Sequence, residues 1–136
     1  MKKAIFVLVL VSAIVFPALC RAQAVGGTWK GKWLSIAGVG TGAITASLVQ
    51  SGGVVSGKVV LANTSCGTVT VTVSGTVLPS GMAILRGTFK CSAAKSYPFV
   101  AHAWTNGAFA AGTYALGPIS PNTWADFGSF KMVKQK

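Results

Sequence analysis

Acid is what this chain lacks. Against twelve Lys and Arg it carries one acidic side chain, Asp126, together with one histidine, His102, and three cysteines in 136 residues. Glycoside cleavage needs a pair of carboxylates, which the sequence does not supply. General acid–base work needs two titratable groups with separated proton affinities held in one cleft. No nucleophile-elbow pattern surrounds any serine, and no Gly-rich phosphate loop leads into a helix. His102 sits in Ala101-His102-Ala103-Trp104 and reads as a structural or rim residue. Cys66, Cys91 and His102 lie far apart and make no metal-ligand spacing. The expectation is a protein that is not an enzyme, with no cofactor and no metal.

Helical periodicity is missing as well. Beyond the N-terminal run, Gly, Val, Thr and Ser stand where helix formers would be needed, so the chain reads as all-β.

The N-terminus reads as an address. Met1-Lys2-Lys3 is a positive head, Ala4 to Leu19 is an apolar run broken by Ser12 and Pro17, and Ala22-Gln23-Ala24 is an A-x-A cleavage signature. That order is a secretory signal peptide over residues 1–24, cut before Val25, with a single domain over 25–136. As a retained anchor the run is short, since ~20 residues are usual for a bilayer. Lipidation at Cys20 is a further reading, disfavoured by the bulky Leu19 before it. An exported protein, periplasmic or extracellular, meets an oxidising compartment, so Cys66 and Cys91 are expected to form one disulfide. Closing a loop of that length contributes roughly 3 kcal/mol by restricting the unfolded chain.

Beyond residue 24 nine cations, Lys30, Lys32, Lys58, Arg86, Lys90, Lys95, Lys131, Lys134 and Lys136, face Asp126 alone, a balance of +8. Such an excess favours anionic neighbours, polysaccharide or lipid headgroups. The cations are scattered singly along the strands, which also suits a solvated face. Nucleic acid is not expected, because no nucleic-acid motif accompanies the charge.

What the chain has in abundance is alternation. In Gly26-Gly27-Thr28-Trp29-Lys30-Gly31-Lys32-Trp33, a strand puts the glycines and indoles on one face and the lysines on the other. A glycine followed two residues later by an aromatic or Val recurs at Gly57, Gly75, Gly87, Gly112 and Gly128. Eight strands are predicted, roughly 26–37, 41–50, 53–62, 66–78, 81–92, 97–105, 107–115 and 123–134. The fourth is the clearest, with Val69, Val71, Val73 and Val77 alternating with Thr68, Thr70, Thr72 and Thr76. The sixth is apolar on both faces, and its inward side is not assigned.

Tight-turn signals at Ser51-Gly52-Gly53, Pro79-Ser80-Gly81 and Asn106-Gly107 fall between strands 2 and 3, 4 and 5, and 6 and 7. In an up-and-down order these share one end. The longer loops, at 38–40, 62–65, 92–96 and 116–122, share the other. The expected fold is an eight-stranded antiparallel up-and-down barrel with one disulfide, closed at one end and loosely rimmed at the other. A two-sheet sandwich is the competing arrangement. An outer-membrane barrel is disfavoured because Lys30, Lys32, Lys58, Lys90 and the threonines of strand 4 would face lipid.

This layout resembles the calycin group, the lipocalins and avidins, whose first strand carries a Gly-x-Trp with its indole plugging the closed end. Gly27-Thr28-Trp29 matches that signature, which implies a structural role for Gly27 and Trp29. The chain is also similar to small exported bacterial proteins with Gly-Thr-Trp-x-Gly-x-Trp followed by Ser-Gly-Thr-Val strands, as at Ser56-Gly57-Lys58-Val59 and Ser74-Gly75-Thr76-Val77; that group implies no activity. Two departures matter. Lys30-Gly31-Lys32 stands where avidins carry the Asn that helps to hold biotin, and the lipocalin Arg that packs over the Trp would have to be replaced by Lys131 or Lys134.

Inward aromatics and the lone acid suggest a site. Trp33, Phe89, Tyr114, Trp124 and Asp126 share inward parity and are the candidate ligand-binding residues, forming a wall for a small apolar or amphipathic molecule at the open end. The same aromatics would also serve to fill the barrel. A buried Asp126 needs a partner, either Arg86, a Lys, or a polar ligand group; as a rim residue it would instead bond backbone amides. The alternative function is a structural or adhesive envelope protein whose cationic surface contacts anionic polysaccharide or lipid.

Overall fold

The computed structural model describes residues 24–117 and 125–136. Residues 1–23, which hold Cys20 and all but the last residue of the expected signal peptide, and residues 118–124, which hold Trp124, lie outside the described residues. Eight strands follow one another: β1 (Gly27–Ser35), β2 (Thr41–Ser51), β3 (Val54–Thr64), β4 (Gly67–Val77), β5 (Met82–Ser92), β6 (Lys95–Thr105), β7 (Phe109–Leu116) and β8 (Asp126–Lys134). Each pairs antiparallel with its sequence neighbour, and β1 pairs with β8 from Trp29↔Lys134 to Ser35↔Gly128, closing the barrel. The up-and-down barrel is therefore the fold, and the sandwich is not.

Alternation decides which side chains form the core. Trp29 and Trp33 of β1, Val69, Val71 and Val73 of β4, and Leu85 and Phe89 of β5 are all buried, while Lys30, Lys32, Thr68, Thr70, Thr72, Arg86 and Lys90 are exposed. In β6, Phe99, Ala101 and Ala103 point inward, whereas His102 and Trp104 are exposed on the outer wall. His102 is thus neither a core nor a rim residue.

The closed end is plugged by its own chain start. The indole Nε1 of Trp29 donates to the Val25 carbonyl at 2.8 Å, and the Val25 amide donates to Gln50 Oε1 at 2.6 Å. Lys134 Nζ lies 5.5 Å from the centre of the Trp29 ring, a cation–π contact from the last strand. Deeper in the trunk only a small apolar space of about 30 Å³ remains.

The inward glycines lie where neighbouring strands approach closely. A Cβ at Gly42 would run into the Ala62 carbonyl of β3, and one at Gly128 into the Leu34 carbonyl of β1. Each is a place where an adjacent strand crosses tightly, as a strongly coiled sheet requires.

One seam of the barrel is incomplete. The β4–β5 ladder runs from Val77↔Ala83 only as far as Val73↔Gly87, although both strands continue towards the open end. The tie beyond it is the disulfide Cys66–Cys91, with Cα atoms 5.2 Å apart. Between ladder and bridge the β4 side has six residues, 67–72, and the β5 side three, 88–90, so β4 carries a local excess that the covalent bond accommodates.

Candidate functional site

The open end of the barrel holds a cavity of about 290 Å³. Its wall is built from inward positions at the open-end ends of the strands: Trp33 from β1, Leu61 from β3, Phe89 from β5, Tyr97 from β6, Tyr114 and Leu116 from β7, and Asp126 at the start of β8. The disulfide cysteines form one side and Lys95 stands at the rim. Four of the five residues expected from sequence, Trp33, Phe89, Tyr114 and Asp126, come together here; Trp124 lies outside the described residues.

Trp33 is fixed from two sides. Its Nε1 donates to the Ala62 carbonyl at 2.9 Å, and its ring meets that of Tyr114 edge to face, centroids 6.3 Å apart at 86°. Gly42 makes the first contact possible, because a Cβ there would stand 2.9 Å from that indole nitrogen. The indole is therefore held rigid, with its hydrogen bond already satisfied by the protein.

Asp126 is 7% exposed, and among the described residues its side-chain partners are hydroxyls rather than Arg86, a lysine or backbone amides. Ser35 Oγ donates to Oδ1 at 2.6 Å and Tyr114 OH donates to Oδ2 at 2.8 Å. Ser35 Oγ in turn accepts from the Val39 amide at 3.1 Å, tying the carboxylate to the β1–β2 loop. Gly128 leaves room for this network, since a Cβ there would lie 2.8 Å from the Tyr114 hydroxyl. Hydroxyls satisfy Asp126 because it sits level with β1 and β7 residues, while every described lysine or arginine on the trunk points to the outer wall or an end.

The phenol of Tyr114 is pushed well above its ordinary range, first by burial, then by its hydrogen bond to Asp126 and the nearby negative charge, with the Ser35 hydroxyl opposing in part. It remains a donor throughout the physiological range. Each carboxylate oxygen has two lone-pair directions, and each of the two here receives one donor from the described residues. The carboxylate also borders the cavity. The site thus has an aromatic and aliphatic body, one buried carboxylate and one cation at its rim.

Ser35 was not among the residues expected, yet it shares parity with Trp29 and Trp33 along β1, and that signal is in the sequence. Tyr97 was hidden because β6 is apolar on both faces. Comparisons with protein-family models, with curated proteins and with solved structures find no match.

Proposed function

We propose that this chain is an exported, non-enzymatic barrel that holds a small amphipathic molecule at its open end, with an apolar body against Trp33, Phe89, Leu61 and Tyr97 and a hydrogen-bond donor turned to Asp126. The observation that carries the reading is the cavity of about 290 Å³ in which the protein's only acid meets a rigid aromatic wall. Its volume falls at the lower edge of the ~300–1,000 Å³ usual for ligand pockets, so the ligand is small. Polar groups that are few and pre-positioned orient a ligand while apolar surface supplies the affinity. The disulfide supports this role by bracing the wall where the β4–β5 ladder has ended. Export rests on the N-terminal signal. A calycin relationship is supported by the barrel order and by Lys134 lying over Trp29, the replacement that the Gly-x-Trp resemblance calls for.

Native mass spectrometry of the exported protein should reveal a bound small molecule. In a thermal-shift panel of compounds sharing one aromatic body, amines, amides and alcohols should raise Tm, and the matching carboxylates should not. Leu116→Trp, which fills the cavity from one wall, should remove the shift while the protein stays folded. Equal shifts from carboxylates, or an unchanged response in Leu116→Trp, would refute the pocket as the binding site.

A further inference from the structure

The outer wall carries a second feature, unrelated to the cavity. Across the β5–β6–β7 ladders Met82, Trp104 and Ala111 are direct partners, and one diagonal step towards the closed end stands Phe109, paired with Val133 of β8. Trp104 is 53% exposed, Phe109 59% and Val133 45%. Large apolar side chains scattered singly on a surface are ordinary; neighbours that form one patch need an explanation.

Cations frame this patch on one flank. Val133 is opposite Lys30, Ala111 is opposite Lys131, and Lys131 is opposite Lys32 across the β1–β8 seam. All three lysines are exposed. Like charges directly opposite in a ladder destabilise it, and no acidic side chain relieves them, because Asp126 is the only acid in the chain and is buried.

We infer that this face, from Trp104 and Phe109 to Lys30, Lys32 and Lys131, seats the barrel on the surface of a bilayer containing anionic lipid. Trp and Phe at the boundary with lysines beside them are the composition of an interfacial contact, where rings enter the headgroup layer and ammonium groups meet lipid phosphates. The seating is peripheral. Lys58 and Arg86 are exposed on the wall elsewhere, where a membrane-spanning barrel is apolar. A second copy of the chain is disfavoured as the occupant, since it would bring an identical set of lysines and the same positive excess. A soluble acidic polysaccharide would satisfy the lysines and leave Phe109 and Val133 without a role.

The test is co-sedimentation of the secreted protein, its N-terminus read by mass spectrometry, with vesicles of phosphatidylglycerol in phosphatidylcholine and with phosphatidylcholine alone. Binding should require phosphatidylglycerol and fade steeply as ionic strength rises past physiological. Each of Lys30→Gln, Lys32→Gln and Lys131→Gln should weaken it about fivefold, the scale of one lysine at an anionic surface. The pair Trp104→Ser with Phe109→Ser should weaken it about tenfold or more through lost apolar insertion, while Lys58→Gln, elsewhere on the wall, should change it little. All positions are exposed, so the variants keep the fold, which circular dichroism verifies. Equal binding to both vesicle types, indifference to the Trp104 and Phe109 changes, or a dimer in sedimentation that the Phe109 change dissociates would each overturn the inference. So would binding to dextran sulfate as tight as to vesicles and unaffected by the aromatic changes. The cavity is not touched by any of these variants, so the ligand-binding proposal stands or falls separately.

Discussion

Trp29 and Trp33 lie four residues apart on one face of one strand, both almost wholly buried and both donating Nε1 to a backbone carbonyl, yet they serve opposite ends of the barrel. Around Trp29 everything is filled: Val25 crosses beneath it, Lys134 covers its ring, and the trunk above keeps only about 30 Å³ of space. Around Trp33 the chain withholds side chains, so one edge of the indole packs and another borders a cavity nearly ten times larger. The difference does not come from the tryptophans. It comes from what the neighbouring strands bring to each end: the chain's own start beneath Trp29 at one, and an interrupted β4–β5 ladder at the other, where the β3–β4 and β5–β6 connections are two-residue turns at 65–66 and 93–94 rather than the longer loops expected.

The strongest challenge to this contrast is truncation of each indole. Trp29→Ala leaves a sealed void that the surrounding wall cannot collapse into, and should cost about 3–5 kcal/mol, the scale for large aromatic truncations in a core. Trp33→Ala enlarges a space that water already reaches, so the cavity contribution falls and the cost should be about 1–2 kcal/mol smaller. Urea unfolding of both variants measures the gap. Equal losses would mean that the open end is as tightly built as the closed one.

A second way to sharpen the comparison uses alkali. Tyr114 belongs to the open end, and its phenol holds its proton in the folded protein well beyond the ordinary value of about 10. Above that value the unfolded chain releases the proton and the folded chain does not, so the unfolded state binds fewer protons and stability falls as pH rises. The contribution is complete below the ordinary phenol value and is lost progressively above it, towards the raised one. Tyr114→Phe should therefore flatten part of the decline in unfolding free energy between neutral pH and the alkaline range. Parallel slopes in Tyr114→Phe and the parent would show that Asp126 and burial do not hold that proton.

Much of this division was legible before any coordinates. The parity of Thr and Val in β4, and of Gly and Trp in β1, assigns inside and outside because a strand has a period of two. The turn signals assign the two ends, because short loops join antiparallel neighbours. Four pocket residues followed from parity and position together. What stayed hidden depended on three dimensions. The face of β6 cannot be read when Tyr97, Phe99, Val100 and Trp104 are apolar on both sides. The partner of Asp126 depends on which strands lie level with it, and Ser35 is 91 residues away. The ladder that stops at Val73↔Gly87 has no sequence mark beyond the two cysteines that bridge it.

The smallest effect concerns polarity in the two regions. At the open end every hydroxyl that touches Asp126 is used; in the trunk, Thr105 Oγ1 is buried without a hydrogen-bond partner, alone in this among the described residues, and it borders the small apolar space. A buried hydroxyl with no partner carries a desolvation cost, and an isosteric methyl does not. Thr105→Val keeps the β-branched shape that a strand favours. It should raise stability by about 0.5–1 kcal/mol, read as a shift in urea midpoint at unchanged slope. Ser35→Ala, by contrast, removes a donor from a buried carboxylate and should lower stability. If both changes moved the midpoint in the same direction, the distinction between a trunk that excludes polar groups and a mouth that employs them would fail.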